Sequence, residues 1–235
     1  MQTVNNLNIM RYLTFEISRT CDMSHIHDMC PVSHPERYKF GDTSNSLTDE
    51  IIINFWKWCR FNKAFRGIVM WSYYNEPTLV IDRIYGLMDV IKACDPDQPF
   101  RLLTNKPPTP EMKERFDLIK FTNYAKDPPM DERRKTVSGE GKPYSQVQRA
   151  GWCGRGFGWE VLIDNHGNWN LCCNDWRCEE SVGNIFKDDW VRLLQKFESK
   201  ARALRWDDEE SYLRLPRLCR ACMDFTPALH RSGGI

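Results

Sequence analysis

The chain has 235 residues, enough for one large domain or two small ones with a real core. Hydrophobic residues make up 41% and charged residues 28%, which excludes a disordered chain, and the formal net charge of +1 gives no electrostatic case for a nucleic-acid or membrane partner. No apolar run approaches the ~20 residues that span a bilayer, and the polar start from Met1 to Met10 lacks the charged-then-apolar layout of a secretory signal, so a cytoplasmic protein is expected.

Tyr12 to Ser18 alternates apolar and polar side chains and predicts a strand, followed by a loop carrying Cys21, His25, His27 and Cys30. Residues 48–62 predict a helix. Thr48 is its N-cap, Asp49 and Glu50 suit its first turn, Leu47 and Ile52 can staple its start, and Ile51, Phe55, Trp58 and Cys59 fall on one stripe. Gly67 to Tyr73 reads as a buried strand broken by Asn75-Glu76-Pro77, and a helix then runs to about Cys94. Further strands are expected at Phe100–Asn105 and Leu118–Asn123. Strands alternating with helices imply a parallel sheet whose chemistry collects at the C-terminal strand ends. Cys21, Glu76, Asn105 and Asn123 all follow or end such a strand.

Residues 126–145 are rich in Pro, Gly and charge and read as a linker. This places one domain at 10–145 and a second at 146–235. Within the linker, Arg133, Arg134 and Lys135 are either a solvated charge run or a contact for an anionic substrate. Beyond it, Val161–Leu171 predicts a hairpin turning through Asn165-His166-Gly167, and a helix is expected at about 187–203. Ten cysteines in a reducing compartment read as metal ligands before disulfides. Cys59 and Cys94 sit on predicted helices and are assigned to the core, as are most of the tryptophans.

The loop Cys21-x5-His27-x2-Cys30-Pro31 resembles the signature of the radical S-adenosylmethionine (SAM) superfamily, three cysteines spaced C-x3-C-x2-C after the first barrel strand. Here the first gap is five residues, and His27 stands where the middle cysteine belongs. His25 is the alternative third ligand, with a four-residue gap before Cys30. A histidine ligand raises a cluster's potential relative to a thiolate. The resemblance continues through residues 12–125. Asn75-Glu76-Pro77 is similar to the segment that holds the SAM amino group, and Leu103-Thr104-Asn105 to a Thr-Asn-Gly segment near SAM, with Lys106 in place of the glycine. Thr122 and Asn123 match a polar pair at the fourth strand's end, and Met29 the position whose backbone meets the adenine.

Cys153-x13-Gly167-x4-Cys172, followed later by Cys219-x2-Cys222, resembles the SPASM/twitch domain of the same superfamily. No cysteine follows Cys222, which matches the one-cluster twitch type, as in the 2-deoxy-scyllo-inosamine dehydrogenase family. Val182-Gly183-Asn184-Ile185 is similar to a segment that follows the hairpin in these domains. Cys173 is an alternative to Cys172, and Cys178 a spare ligand or a thiol near the site. On spacing alone the same four cysteines also suit a structural zinc ion.

The resemblance implies an α/β protein: a partial (β/α) barrel of about five or six strands, followed by a small β-hairpin-plus-helix cluster domain. It implies two [4Fe–4S] clusters and SAM, with Cys21, His27 and Cys30 on one cluster and Cys153, Cys172, Cys219 and Cys222 on the other. The implied activity is that of an oxidoreductase-type enzyme. An external donor such as flavodoxin or ferredoxin supplies the electron that cleaves SAM, and the resulting radical takes a hydrogen from a small-molecule or peptide substrate. The alternatives are a peptide-modifying maturase, a family member that no longer cleaves SAM, and a zinc-stabilised binding module.

Overall fold

The computed structural model describes residues 10–26, 30–33, 43–124, 143, 151–153, 160–175, 177–222 and 225–227. Its main feature is an open seven-stranded sheet, which makes the chain a mixed α/β protein. The strands are β1 (Met10–Phe15), β2 (Phe65–Met70), β3 (Phe100–Thr104), β4 (Leu118–Phe121), β6 (Glu160–Ile163), β7 (Asn168–Asn170) and β8 (Gly183–Asn184). They lie in the order β4-β3-β2-β1-β6-β7-β8. The first five strands in that order run parallel, and β7 and β8 close the edge antiparallel. A second, three-stranded antiparallel sheet holds β5 (Gly151–Cys153) between β9 (Arg205–Trp206) and β10 (Phe225–Pro227). The predicted boundary at 145/146 lies outside the described residues, and the large sheet takes strands from both sides of it.

The helices are α1 (Asp49–Phe61), α2 (Ile81–Cys94), α3 (Pro110–Arg115), α4 (Trp190–Arg202), α5 (Glu209–Leu213) and α6 (Arg217–Ala221). Thr48 caps α1 as expected, its hydroxyl accepting from Ile51 N at 3.3 Å. The buried face of α1 is broader than the predicted stripe. Ile52, Ile53, Phe55, Trp56 and Cys59 are buried, while Ile51 and Trp58 are only partly covered. The helix packs on more than the sheet: Phe55 meets Phe15 and Trp169 edge-on at 6.3 and 5.7 Å, and Trp190 at 5.2 Å. Trp71 stacks between Phe15 and Phe100, 6.1 Å from each, and joins three adjacent strands. Helix α4 starts later than predicted because Asp189 caps it, accepting from Arg192 N at 2.9 Å. Cys59 is buried, but Cys94 is exposed, a correction to its assignment to the core. It closes α2 beyond Ile91, the last buried position, where the chain already turns toward β3.

The hairpin forms where predicted. Asp164 accepts from the amides of His166 and Asn168, both at 2.9 Å, and Gly167 takes φ +80°, a left-handed conformation that glycine adopts without strain. Its first strand pairs with β1 in parallel, Leu13 opposite Val161, so the hairpin extends the main sheet directly. Arg83 clamps the layers at the C-terminal side of β1. It donates to Ile17 O at 2.7 Å, to Leu47 O at 2.8 Å and to Asp49 at 2.6 Å.

Candidate functional site

The C-terminal ends of β1, β2 and β3 meet around Glu76. This carboxylate is 2% exposed and makes four accepting contacts. Its Oε1 accepts from Thr78 N at 3.0 Å and from the hydroxyls of Thr78 and Thr104, each at 2.6 Å; its Oε2 accepts from Asn105 N at 2.8 Å. Its own amide donates to Thr20 O at 2.8 Å, so the segment after β2 is tied to the residue before Cys21. The sequence explains the bend. Pro77 starts a short 3-10 turn over Pro77–Val80, and Asn75 holds the strand end, accepting from Tyr73 N at 3.0 Å and donating to Trp71 O at 3.2 Å. The Asn75 side chain is thus engaged with the backbone of its own loop.

Asn105 reaches the cysteine loop, with Nδ2 3.8 Å from Cys21 Sγ. Its Oδ1 is buried and has no hydrogen-bond partner among the described residues. Burial pushes the Cys21 thiol up from its ordinary value, and the charges of Cys30, Glu76 and Asp22 push in the same direction. Cys30 itself is buried. Lys106 forms an ion pair with Asp22 and ties the end of β3 to the loop. Asp22 and its neighbours raise the Lys106 ammonium above its ordinary value. Thr122 N donates to Thr104 O at 2.8 Å, which places Asn123 just beyond the end of β4. His25 is exposed in a short turn over Ser24–Ile26. His27 and Met29 lie outside the described residues.

The second group gathers Cys153 in β5, Cys172 beyond β7, and Cys219 and Cys222 at α6. Burial pushes the Cys172 thiol up, with the charges of Cys173, Cys219, Asp175 and Cys153 adding. Burial does the same to Cys219, with Cys153 and Cys222 adding. Asn174 points donors at two of these sulfurs, its amide to Cys172 and its Nδ2 to Cys222, each at 3.3 Å. Grouped thiols that disfavour each other's charge, with Cys153 and Cys219 buried and Cys172 and Cys222 half-buried, are a poor set of free thiolates and a candidate set of ligands for a cationic group.

Among the described residues, no three His, Cys, Asp or Glu side chains lie close enough to bind a single metal ion. Tetrahedral zinc with ~2.3 Å bonds requires sulfurs about 3.8 Å apart.

The two groups share a scaffold. Tyr73, next to the Glu76 bend, hydroxyl-bonds to Cys172 O at 3.4 Å and Asp175 O at 3.3 Å, and Tyr74 to Cys173 O at 2.8 Å. Cys178 is directed elsewhere. Its Sγ is 3.8 Å from Asp164 Oδ2, and it adopts φ 57°.

Sequence reasoning missed Glu16, which follows β1 directly and is fully buried. It accepts from Asn165 N at 3.1 Å, while its Oε1 has no partner among the described residues. Burial and then the Asp164 charge raise its pKa to about 7, against the opposing effect of Arg19 and the backbone donors of Asn165 and Tyr74. Its signal in the sequence was a charged side chain where the strand's alternation faces away from the aromatic core.

No known family model matches the chain. No curated protein is similar to it in sequence. Among the described residues no helix is long and apolar enough to cross a membrane. Two crystal structures share its fold. One is BtrN in complex with AdoMet and 2-DOIA, at TM-score 0.61 and 15% identity, covering 92% of this chain and 93% of that one. The other is selenomethionine BtrN in an open conformation, at TM-score 0.62 and 15% identity, covering 92% of each chain. The chain shares the fold of BtrN, and its seven-stranded sheet is open.

Proposed function

We propose that the protein is a radical SAM enzyme of the cytoplasm that oxidises or rearranges a small substrate, with one [4Fe–4S] cluster at the Cys21–Cys30 loop and an auxiliary one at Cys153, Cys172, Cys219 and Cys222. The observation that carries this reading is the meeting of Cys21, Glu76 and Asn105 at three adjacent strand ends. The fold shared with BtrN, a protein solved with AdoMet, supports it.

When bound, the first cluster supplies the electron that cleaves SAM. The chain's own residues position and shield the reactants. Glu76 offers a carboxylate to the SAM ammonium while its remaining contacts lock the ends of β2 and β3. The free Oδ1 of Asn105 offers a second acceptor beside Cys21. The Tyr73 and Tyr74 hydroxyls hold the second cysteine group against the same strand ends. Flavodoxin or ferredoxin serves as the electron donor.

Glu76→Ala is the direct test. A hydrogen bond to a charged group contributes about 1.5–3 kcal/mol, so SAM binding weakens roughly ten- to a hundredfold in the anaerobically reconstituted protein, measured by calorimetry. Unchanged affinity with intact iron would mean that the strand ends are misassigned.

The reading further assigns His27 as third ligand of the first cluster, because His27-x2-Cys30 keeps the register of the last two ligands. His27→Cys then keeps the cluster and lowers its potential in redox titration, since thiolate adds negative charge. His27→Ala gives a labile or three-iron cluster in electron paramagnetic resonance. A full cluster with an unchanged spectrum in His27→Ala would shift the assignment to the exposed His25, or to no histidine. Loss of SAM cleavage with retained SAM binding in the wild type would favour a non-catalytic member, a reading motivated by the absent middle cysteine.

A further inference from the structure

Glu50, Asn54, Lys57 and Phe61 follow one another at spacings of four, three and four residues, so they form one row along α1. All four are exposed. The row is acidic at its start, where Asp49 precedes Glu50, and basic at its end, where Lys57 and Lys63 flank Phe61. That polarity complements the helix's own dipole and by itself calls for no partner. The apolar groups on the same face do. Phe61 is 89% exposed, more than any other large apolar side chain among the described residues, and Val90 of α2 is 48% exposed.

Eleven residues before Phe61, about three turns and 16 Å along the axis, Glu50 borders a cleft between α1 and α2. Its volume is about 240 Å³, and Ile53, Leu87 and Val90 give it apolar walls. Gly86 also lines it, and a Cβ there would meet nothing within 4 Å, so the glycine leaves a notch. Pockets for drug-sized ligands start at about 300 Å³, so this cleft suits a single side chain.

An aromatic knob at one end of a helix and a notch three turns away on the same face fit each other in a second copy turned end for end. In a two-fold contact, residue i meets residue j and j meets i. Antiparallel α1 helices that set Phe61 over the second copy's Glu50 also set Lys57 over its Asn54, and both placements repeat across the axis. Lys57 and Lys63 then bracket the second copy's Asp49 and Glu50, so each basic end lies on an acidic end. A partner of one charge sign would match half of this face and be repelled by the other half.

We propose that the α1–α2 face is a two-fold interface between copies of this chain, with Phe61 of each copy seated in the cleft beside Gly86 of the other. The contact stands whether or not the cysteine groups hold clusters. Two helices about 20 Å long, set about 10 Å apart, offer roughly 500–600 Å² per copy. That is near the lower edge of specific interfaces, so the dimer is weak, with a dissociation constant on the order of 10 µM.

The test is sedimentation equilibrium of the full chain. The mass is that of one chain, 27.8 kDa, at about 0.5 µM and approaches twice that value at about 100 µM. Phe61→Ser and Val90→Lys each weaken association by about thirtyfold or more, because one removes the knob and the other places a charge in the cleft. Their urea midpoints at about 0.5 µM stay at the wild-type value, since both side chains face solvent in the single chain. Glu50→Lys weakens association by about tenfold, and adding Lys57→Glu in the same chain recovers it, because the exchange is completed within every contact. A protein that keeps the mass of one chain at about 100 µM overturns the proposal. So does a Phe61→Ser protein that associates like the wild type, or a double exchange that stays as weak as Glu50→Lys alone.

Discussion

Cys219→Ala leaves the reconstituted protein with about half of its iron, about four atoms of eight, and with SAM still bound. Cys219 is buried on α6 and is charge-coupled to Cys153 and Cys222, while Cys172 is coupled to Cys219 and Cys153, so one missing sulfur opens the whole group. The Cys21 loop lies at the ends of β1 to β3 and shares no ligand with it. The loss reaches beyond the metal. Cys153 is in β5, Cys172 follows β7 and Cys222 caps α6, so a cluster held by them would join both sheets to the last helix, and the binding energy of a metal centre is folding energy. Protease sensitivity is therefore expected to rise around β9, α5 and α6, the short elements nearest the lost ligands. Cys178→Ala is the matched control, since its sulfur faces Asp164, and it keeps the full iron content. Full iron in Cys219→Ala would remove that residue from the ligand set, and lost SAM binding with unchanged iron would break the separation of the two sites.

The elements that were legible from the sequence are the ones with a local cause. Helix α1 has its cap, its acidic first turn and its stripe within a few residues, and the hairpin has Gly167 where a left-handed residue is needed. The bend at Glu76 was readable because a proline fixes it, whereas its bonds to Thr104 and Asn105 depend on the neighbouring strand. The unread parts are the ones that exist only through distant partners. Strands β5, β9 and β10 have two or three residues each, too few for any period, and form only because Cys153 N meets Leu204 O at 2.9 Å and the flanking strands pair. Asn170 looked like one more polar residue in a hairpin, yet all of β7 is buried and its side chain is 0% exposed. Cys94 fits a helical pattern but falls past the end of the buried stripe, and only the turn into β3 reveals that.

Gly67→Ala is the substitution expected to damage the fold most, and nothing in the local sequence announces it. Between Met10 and Tyr12 on β1 the chain advances two residues, while between their partners Phe65 and Ile68 on β2 it advances three. The extra residue makes a bulge, and glycine is the residue that tolerates the resulting close approach. A Cβ built on Gly67 would stand 1.8 Å from Arg11 O and 2.3 Å from Arg11 C. Both are backbone atoms, so no rotamer change relieves the overlap, and β1 and β2 must separate at the centre of the sheet. Overpacking typically costs 1–3 kcal/mol where side chains can give way, so a backbone clash here costs about 3 kcal/mol or more, out of a total stability of about 5–15 kcal/mol. Gly86→Ala provides the opposite result. Its Cβ meets nothing within 4 Å on the exposed side of α2, so it should stabilise by about 0.5–1 kcal/mol through helix propensity. Urea titrations of the two variants are expected to move in opposite directions, with Gly67→Ala unfolding far earlier or failing to accumulate as folded protein. A Gly67→Ala protein with a wild-type midpoint would mean that the bulge is absent and that β1 and β2 pair in a plain register, which would also shift Glu16 relative to its neighbours.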